Sequence, residues 1–170
     1  PSGSTVADAI QDTFAKVGEN IKLGRVAKFV AGDGGVVGGY LHFNNRVGVL
    51  VQLAADKRVD GLVGLANDIA MHIAMAAPEV ISAEDLDAER IAKEKDLLLE
   101  QARKEGKPES ALEKIVEGQL RKQLSEICLL DQPYIRDEKG KTTVADLISS
   151  RAKDLGVHPR VVAFCRISLN

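Results

Sequence analysis

The sequence has no tryptophan, and aromatic side chains of all kinds make up only 4% of it. Apolar residues nevertheless account for 45% of the 170 residues, which is enough for a hydrophobic core. That core must be built mainly from valine, isoleucine, leucine and alanine. The length suits one domain with room for an appendage.

Cysteine is scarce, and long apolar runs are missing. Cys128 and Cys165 lie far apart and outside any CxxC pattern, which favours a reduced, cytosolic environment over a disulfide. No apolar run approaches the roughly 20 residues of a membrane span, and residues 1–4 do not resemble a signal peptide. Because the first residue is not methionine, we expect a processed chain or part of a longer one. The predicted location is cytoplasmic, with an organellar matrix or stroma as the alternative.

A basic excess is also absent, since the formal net charge is -2. This argues against a strongly basic nucleic-acid surface, and no direct nucleic-acid partner is expected. A local basic patch stays open as an alternative RNA-binding site, although Glu94, Glu100 and Glu105 lie among its members. The basic residues of this patch are Lys93, Lys95, Arg103, Lys104, Lys107, Arg121 and Lys122.

Catalytic and metal-binding patterns are missing too. His42, His72 and His158 fall on different predicted elements, whereas a zinc site needs about four converging ligands. His72 borders the apolar stripe of its helix and is interpreted as a semi-buried structural residue. The glycines of residues 32–39 join strand to strand, so they do not predict a phosphate site before a helix. No cofactor or metal is predicted, and a binding function is favoured over an enzyme.

What is present begins with a helix and continues with short β-branched segments. Apolar residues at helical spacing predict a helix over residues 5–17, with Ser4 as its N-cap and Gly18 just beyond its end. An antiparallel meander with turns at Asp33-Gly34 and Asn44-Asn45 is predicted next. Its three strands are residues 26–30, 36–43 and 47–53.

The third predicted strand has one wholly apolar face, and the next helix is the obvious cover for it. Along this strand the apolar face consists of Val47, Val49, Val51 and Leu53. A helix over residues 59–76 repeats apolar side chains every three or four positions and is predicted to pack on that face. Thr143 with Asp146 is predicted to cap a helix over residues 144–155. A last strand over 161–169 is predicted to return to the sheet.

Between these parts the composition shifts to glutamate, lysine, arginine, alanine and leucine. Ser82 with Asp85 resembles a capping box at the start of this run. Gly106-Lys107-Pro108 interrupts the run, so two antiparallel helices are predicted on either side of it. The predicted fold is α+β: a small antiparallel sheet of three to four strands, covered by helices, with an inserted helical hairpin of coiled-coil type. Residues 1–81 and 128–170 form the predicted core subdomain, and residues 82–127 form the hairpin. The predicted seam residues are Ala88, Ile91, Lys95, Leu98, Ala102, Leu112, Ile115, Leu120, Leu124 and Ile127.

Three segments have the mixed apolar and polar character of contact surfaces. Tyr40 and His42 share one strand face that leads to a turn, and tyrosine is enriched in interface cores. Residues 17–20 and 133–136 are loops with a similar mixture. Ordinary edge packing is the alternative interpretation for each of them.

Several motifs in order resemble translation elongation factor Ts, and together they span nearly the whole chain. In that family the corresponding patterns include GENIxxRR, YxH followed by R(I/V)GVLV, AMH, and VEGR followed by LLxQPF. The matching segments here are GENIKLGRV at 18–26, YLHFNNRVGVLV at 40–51, DIAMHIA at 68–74, GKP at 106–108, IVEGQLRK at 115–122 and LLDQPYI at 129–135. Gly24 stands where the family has the first arginine of a pair, and Gln123-Leu124 replaces a common aromatic residue.

The resemblance implies the C-terminal core subdomain of such a factor, with its helical hairpin. The family's N-terminal helical domain and its Thr-Asp-Phe-Val exchange motif are not found in the 170 residues. The implied partner is elongation factor Tu, contacted at its third domain. Motif by motif, the implied contact residues are Val17, Gly18, His42, Ile135 and Arg136, to which the position of Tyr40 on the same strand adds a further candidate.

The implied function is guanine-nucleotide exchange in translation elongation, without enzymatic activity of the chain's own. The alternative is a structural or dimerisation module that forms a homodimer through the hairpin. Leu98, Leu112 and Leu120 would then supply a seam for a second copy. The resemblance favours the exchange-factor function.

Overall fold

The computed structural model describes residues 3–169, and it contains both helices and strands. The elements are α1 Val6–Val17, β1 Val36–Leu41, β2 Val47–Ala54, α2 Leu62–Ala76, α3 Ala88–Lys104, α4 Glu109–Ile127, α5 Val144–Leu155 and β3 Arg160–Ser168, with 3-10 turns at Ala83–Asp85 and Leu129–Asp131. Between residues 3 and 169, no helix combines the length and apolar character that crossing a membrane requires.

The three strands form one antiparallel sheet in the order β1-β2-β3. Val51 at the centre of β2 lies between Gly38 of β1 and Phe164 of β3. The last strand therefore returns across most of the chain to pair with β2, which confirms the predicted closing strand. The α+β fold with a small sheet covered by helices is confirmed as well.

The main core lies between one face of the sheet and α2. Val49, Val51 and Leu53 are almost fully buried, as their alternation along β2 predicts. The residues of α2 that pack against this face are Leu62, Leu65, Ala66, Ile69, Ala70 and Ile73. Each fully buried aliphatic side chain contributes about 1.5–3 kcal/mol relative to its exposed state, so this layer is the main source of stability.

The predicted strand at residues 26–30 does not form. Residues 19–32 have no regular secondary structure, and Val26 and Val30 are exposed. The reason is that β-propensity describes a preference for a pleated surface and does not supply a partner. The segment does not pair with the edge strand β1, and the amide of Gly39 in β1 donates instead to the side-chain Oδ1 of Asn67 in α2 at 2.9 Å. The only hydrogen bond of Gln52 to this segment runs from its Nε2 to the Val30 carbonyl, at 3.1 Å.

Reciprocal side-chain caps set the starts of α1 and α5. Thr5, rather than the predicted Ser4, caps α1: its hydroxyl accepts the Asp8 amide at 3.2 Å, and the Asp8 carboxylate accepts the Thr5 amide at 2.7 Å. Thr143 and Asp146 form the same reciprocal arrangement at the start of α5, as predicted. Such a cap satisfies amides that have no partner within the helix.

The start of the hairpin differs slightly from the prediction. Ser82 and Asp85 form a capping box, but it opens only the 3-10 turn at Ala83–Asp85. The extended backbone of Leu86 ends that turn, and Asp87 then caps α3 by accepting the Glu89 amide at 3.0 Å. The capping signal in the sequence thus predicted that a helical segment begins at Ser82, but it did not show that the long helix begins only after Asp87.

Helices α3 and α4 pack antiparallel. Arg103 pairs with Glu109 near the connecting turn, and Gln123 Nε2 donates to Glu94 Oε1 farther along, each at 2.9 Å. Four side chains form a small core of the hairpin: Leu98, Ala102, Leu112 and Val116. The prediction was wrong for Lys95 and Ala88, which are exposed, and Val116 replaces the half-buried Ile115 at the centre of the seam. Consecutive residues on a helix point in directions about 100° apart, so the prediction placed Ile115 in the seam where Val116 lies.

Candidate partner-binding surface

Tyr40, His42 and Phe43 form an aromatic cluster at the end of the β1–β2 hairpin. The Tyr40 hydroxyl lies 3.1 Å from His42 Nδ1, and the His42 and Phe43 rings have centroids 4.3 Å apart. The turn closes because Asn45 adopts a positive φ of 58°, which asparagine tolerates. Tyr40 packs against the main core, whereas Phe43 is 86% exposed. The cluster is thus anchored at one end and open at the other.

Phe43 was not among the predicted site residues. It is the most exposed of the large hydrophobic side chains described. The sequence signal that could have found it is an aromatic residue directly before an Asn-Asn turn, where solvent exposure is expected. Isolated apolar side chains on a surface are ordinary, but this one touches a predicted contact residue.

The loop that follows α4 and the Leu129–Asp131 turn presents Ile135 and Arg136. The neighbouring Tyr134 is buried, while Ile135 is 45% exposed. Arg136 Nη1 lies 3.2 Å from Asp68 Oδ1 of α2. The Tyr134 amide donates to the Thr142 carbonyl at 2.8 Å, so the loop leaves and returns at one point.

Asp137 stabilises the far side of the same loop. Its carboxylate accepts the backbone amides of Lys139, Lys141 and Thr142 at 3.1, 2.8 and 2.6 Å. These bonds favour the ionised form, and the Thr142 amide is the main reason that the pKa of Asp137 lies below its usual value. A charged acceptor surrounded by amides holds a turn more strongly than a neutral one would.

His72 and Gln132 lie beneath the loop in the interior. Nδ1 of His72 accepts the Ile135 amide at 3.3 Å, and its Nε2 donates to Gln132 Oε1 at 2.9 Å. Both side chains are buried, and His72 is wholly inaccessible to solvent. His72 is therefore a structural residue, as predicted, but it is fully buried and not semi-buried. Burial lowers the pKa of His72, and the Gln132 hydrogen bond opposes this only in part.

Adjacent residues of α2 anchor both the strand and the loop. Asn67 accepts the amide of Gly39, the residue before Tyr40, and Asp68 holds Arg136. Arg151 of α5 lies 3.8 Å from the second oxygen of Asp68. The structure therefore attaches two of the three predicted segments, those of Tyr40 and Arg136, to the same turn of one buried helix.

The third segment stands apart from this assembly. Val17 is 56% exposed at the end of α1, and Gly18 closes the helix with a positive φ of 76° while its amide donates to the Phe14 carbonyl. No residue of α1 is buried. Among the residues described, no hydrogen bond or ion pair joins α1 to Tyr40, His42 or the loop. Val17 and Gly18 are therefore presented separately.

Comparison with known proteins gives one family over the whole chain. The family model described as elongation factor TS matches residues 1–170. The chain is 40% identical to elongation factor Ts of Lawsonia intracellularis (strain PHE/MN1-00), over 99% of this chain and 60% of that protein. It is also 40% identical to elongation factor Ts of Aquifex aeolicus (strain VF5), over 98% of this chain and 55% of that protein. The chain thus spans somewhat more than half the length of the curated relatives it matches.

Proposed function

This chain belongs to the elongation factor Ts family, and from that membership we propose that it binds elongation factor Tu and takes part in guanine-nucleotide exchange during translation elongation. The proposed role is that of a binding protein in the cytoplasm, not of an enzyme. The observation that carries the proposal is the common attachment of the Tyr40 strand and the Arg136 loop to α2, through Asn67 for the strand and through Asp68 and the His72 ring for the loop.

Tyr40, His42, Ile135 and Arg136 form the proposed docking surface, and we assign it to the third domain of elongation factor Tu. Several features support this choice. The segments are held by a helix that is itself buried in the core, so their spacing is set before a partner arrives. The surface combines aromatic groups, an aliphatic side chain and an arginine, which is the composition found in energetically important parts of interfaces.

Val17 and Gly18 form a second proposed contact at the end of α1. The apolar side of this helix includes Val6, Phe14 and Val17, all of which are exposed. Covering such side chains with a partner contributes favourable free energy in proportion to the apolar area removed from water. A complex that uses both contacts would hold elongation factor Tu at two separate points.

The proposed mechanism is differential binding. An exchange factor that binds the nucleotide-free GTPase more tightly than the GDP form lowers nucleotide affinity by the same factor. The residues of this chain supply affinity and orientation. Because the 170 residues contain no Thr-Asp-Phe-Val motif, the chain alone is expected to bind but to accelerate GDP release only weakly.

The two alternative functions receive less support. Leu98 and Leu112, which would form a dimer seam, are already buried in the hairpin of the same chain. For RNA binding, four of the proposed basic residues lie within 4 Å of a glutamate that reduces the local positive charge. These residues are Lys93, Arg103, Lys104 and Lys107.

Calorimetric titration tests the proposal. The chain should bind nucleotide-free elongation factor Tu more tightly than the GDP form. His42→Ala and Ile135→Ala should each weaken binding by roughly 5- to 30-fold, the range of an interface anchor worth about 1–2 kcal/mol. Leu97→Ala, on the exposed side of α3, is the matched control and should leave the affinity unchanged. Unchanged affinity in both site variants would contradict the proposed surface.

The nucleotide step is tested separately with mant-GDP. Saturating amounts of the chain should leave the release of mant-GDP from elongation factor Tu slow. Rapid release would show that docking by these residues is sufficient for exchange and would overturn the division of roles proposed here.

A further inference from the structure

The two ring nitrogens of His72 hold the two ends of one four-residue segment. Nδ1 accepts the backbone amide of Ile135, and Nε2 donates to the side chain of Gln132. We propose that His72 is a positioning residue that fixes Ile135 and Arg136 in the geometry that elongation factor Tu recognises. This inference rests on the proposed function, because it specifies how one part of the docking surface is held.

The hydrogen bonds of the ring define its protonation state. A backbone amide is only a donor, so Nδ1 of His72 must be the bare acceptor, and the single proton of the neutral ring must lie on Nε2. That proton is donated to Gln132 Oε1 at 2.9 Å. Each ring nitrogen therefore has one partner, as a fully buried polar group requires.

Gln132 extends the arrangement to the base of the hairpin. Its Nε2 donates to the Glu126 carbonyl in the last turn of α4 at 2.7 Å and to the Ala76 carbonyl at the end of α2 at 3.4 Å. One amide side chain therefore joins α2, α4 and the His72 ring. Because the ring is bonded on both sides within this network, a shift of the ring would break its bonds to both Ile135 and Gln132.

Two bonds join Ile135 and Arg136 to α2, and the bond from Ile135 ends on the buried ring of His72. The other link, Arg136 to Asp68, is an ion pair whose arginine is 60% exposed, and exposed pairs of this kind hold a geometry weakly. The amides of Tyr134 and Asp137 bond within the loop region, to the carbonyls of Thr142 and Tyr134. The position of the loop relative to α2 therefore depends chiefly on the His72 ring.

Two substitutions at one position separate the two bonds. The amide of asparagine lies close to the place of Nδ1, so His72→Asn retains an acceptor for Ile135 and loses Gln132. The longer glutamine places its amide close to Nε2, so His72→Gln retains the contact with Gln132 and loses Ile135. Each variant loses one buried hydrogen bond, so their losses of stability should be similar.

The affinities for nucleotide-free elongation factor Tu should differ. His72→Gln should weaken binding about tenfold, the effect of one lost buried hydrogen bond on the binding-competent form. His72→Asn should remain within about threefold of the unmodified chain, since the acceptor for Ile135 is retained. Equal losses in the two variants, or losses that follow the drop in thermal stability, would overturn the positioning role.

Amide hydrogen exchange of the free chain supplies a readout that does not depend on the partner. The Ile135 amide should be protected in the unmodified chain and in His72→Asn, and should exchange quickly in His72→Gln. If the unmodified chain does not bind elongation factor Tu, the proposed function fails, and the exchange data still decide whether His72 holds the loop. If it binds while the Ile135 amide is unprotected, the positioning role alone fails.

A second measurement covers the case in which neither variant folds. Nitrogen-15 chemical shifts of the His72 ring in the unmodified chain distinguish its two neutral forms. A proton on Nε2 with an unprotonated Nδ1 is expected. A proton on Nδ1 would remove the acceptor for Ile135 and would overturn the inference.

Discussion

Gly38 of β1 lies directly against Ala66 of α2, where the sheet packs on its covering helix. A Cβ atom on Gly38 would stand 2.5 Å from the Ala66 Cβ and 2.8 Å from Asn67 Oδ1. Since neither the backbone of α2 nor that of β1 can move without disturbing the core, the glycine is required here by contact and not by its φ angle. The same contact brings Asn67 within reach of the Gly39 amide.

Gly38→Ala should therefore destabilise the chain by about 1–3 kcal/mol through overpacking. Gly64→Ala is the matched control, because Gly64 lies in α2 close to Ala66 in sequence and a Cβ there meets no atom within 4 Å. The control should be neutral or stabilising by up to about 1 kcal/mol, since alanine favours a helix more than glycine does. Urea unfolding measures both. A Gly38→Ala variant as stable as the control would contradict the close packing of β1 on α2.

The stability of the chain should depend on pH through His72. Its pKa in the folded chain is lowered, chiefly by burial, so below about pH 6.5 the unfolded chain binds a proton that the folded chain does not. The free energy of unfolding should therefore fall as pH decreases from about 6.5 to the lowered pKa, with a slope of at most about 1.4 kcal/mol per pH unit. Above that window the histidine is neutral in both states and contributes no pH dependence.

Paired variants identify the source of that slope. His72→Asn should remove it, whereas His158→Asn, which replaces an exposed histidine, should retain it. Chemical unfolding at a series of pH values gives the comparison. The lowered pKa of Asp137, which comes mainly from the Thr142 amide, acts in a different window, with its stabilisation lost only as pH falls below about 4. An unchanged slope in His72→Asn would contradict the lowered pKa of this histidine.

Phe43 should contribute to partner binding without contributing to folding. Its side chain is 86% exposed, so Phe43→Ala should change the free energy of unfolding by less than about 0.5 kcal/mol. Its ring contacts His42 within the proposed docking surface. The affinity for elongation factor Tu should fall by roughly five- to tenfold, as expected for an aromatic residue at an interface. Leu97→Ala, at a similarly exposed apolar position in the hairpin, should leave the affinity unchanged, and equal affinities for both variants would remove Phe43 from the surface.

The sequence predicted β2 and α2 correctly because the periodicity of each defines an apolar face that another element must cover. The apolar alternation of β2 and the helical repeat of α2 each define one face, and the two faces pack together as expected. The segment at residues 26–30 has similar β-branched residues, but no periodicity assigns it a neighbour, and it remains irregular. Strand propensity without a specified partner was therefore insufficient.

The sequence predicts contact residues, but it does not predict the groups that support them. The sequence indicated His42, Ile135 and Arg136, yet the groups that hold them come from distant positions. His72 and Gln132 are 60 residues apart, and their hydrogen bond depends on how α2 meets the base of the hairpin. Such pairings follow from tertiary packing, which a single sequence does not specify.

The hairpin supplies the final prediction, which separates the proposed function from the dimer alternative. Leu112 is 2% exposed and packs within the chain against Leu98, Ala102 and Val116. If this seam is internal, Leu112→Ala leaves a cavity in the same chain and should cost about 2–4 kcal/mol of hairpin stability. The loss should be independent of protein concentration, because no second copy is involved.

Thermal unfolding over a wide range of concentrations, followed by far-ultraviolet circular dichroism, distinguishes the two cases. An internal seam gives a midpoint that is lowered by Leu112→Ala but does not move with concentration. A dimer seam would make the midpoint of the unmodified chain rise with concentration, since association stabilises the folded form by mass action. It would also need apolar side chains on the outer side of the helices, so Leu97→Ala would lower the midpoint only if a second copy covered that residue.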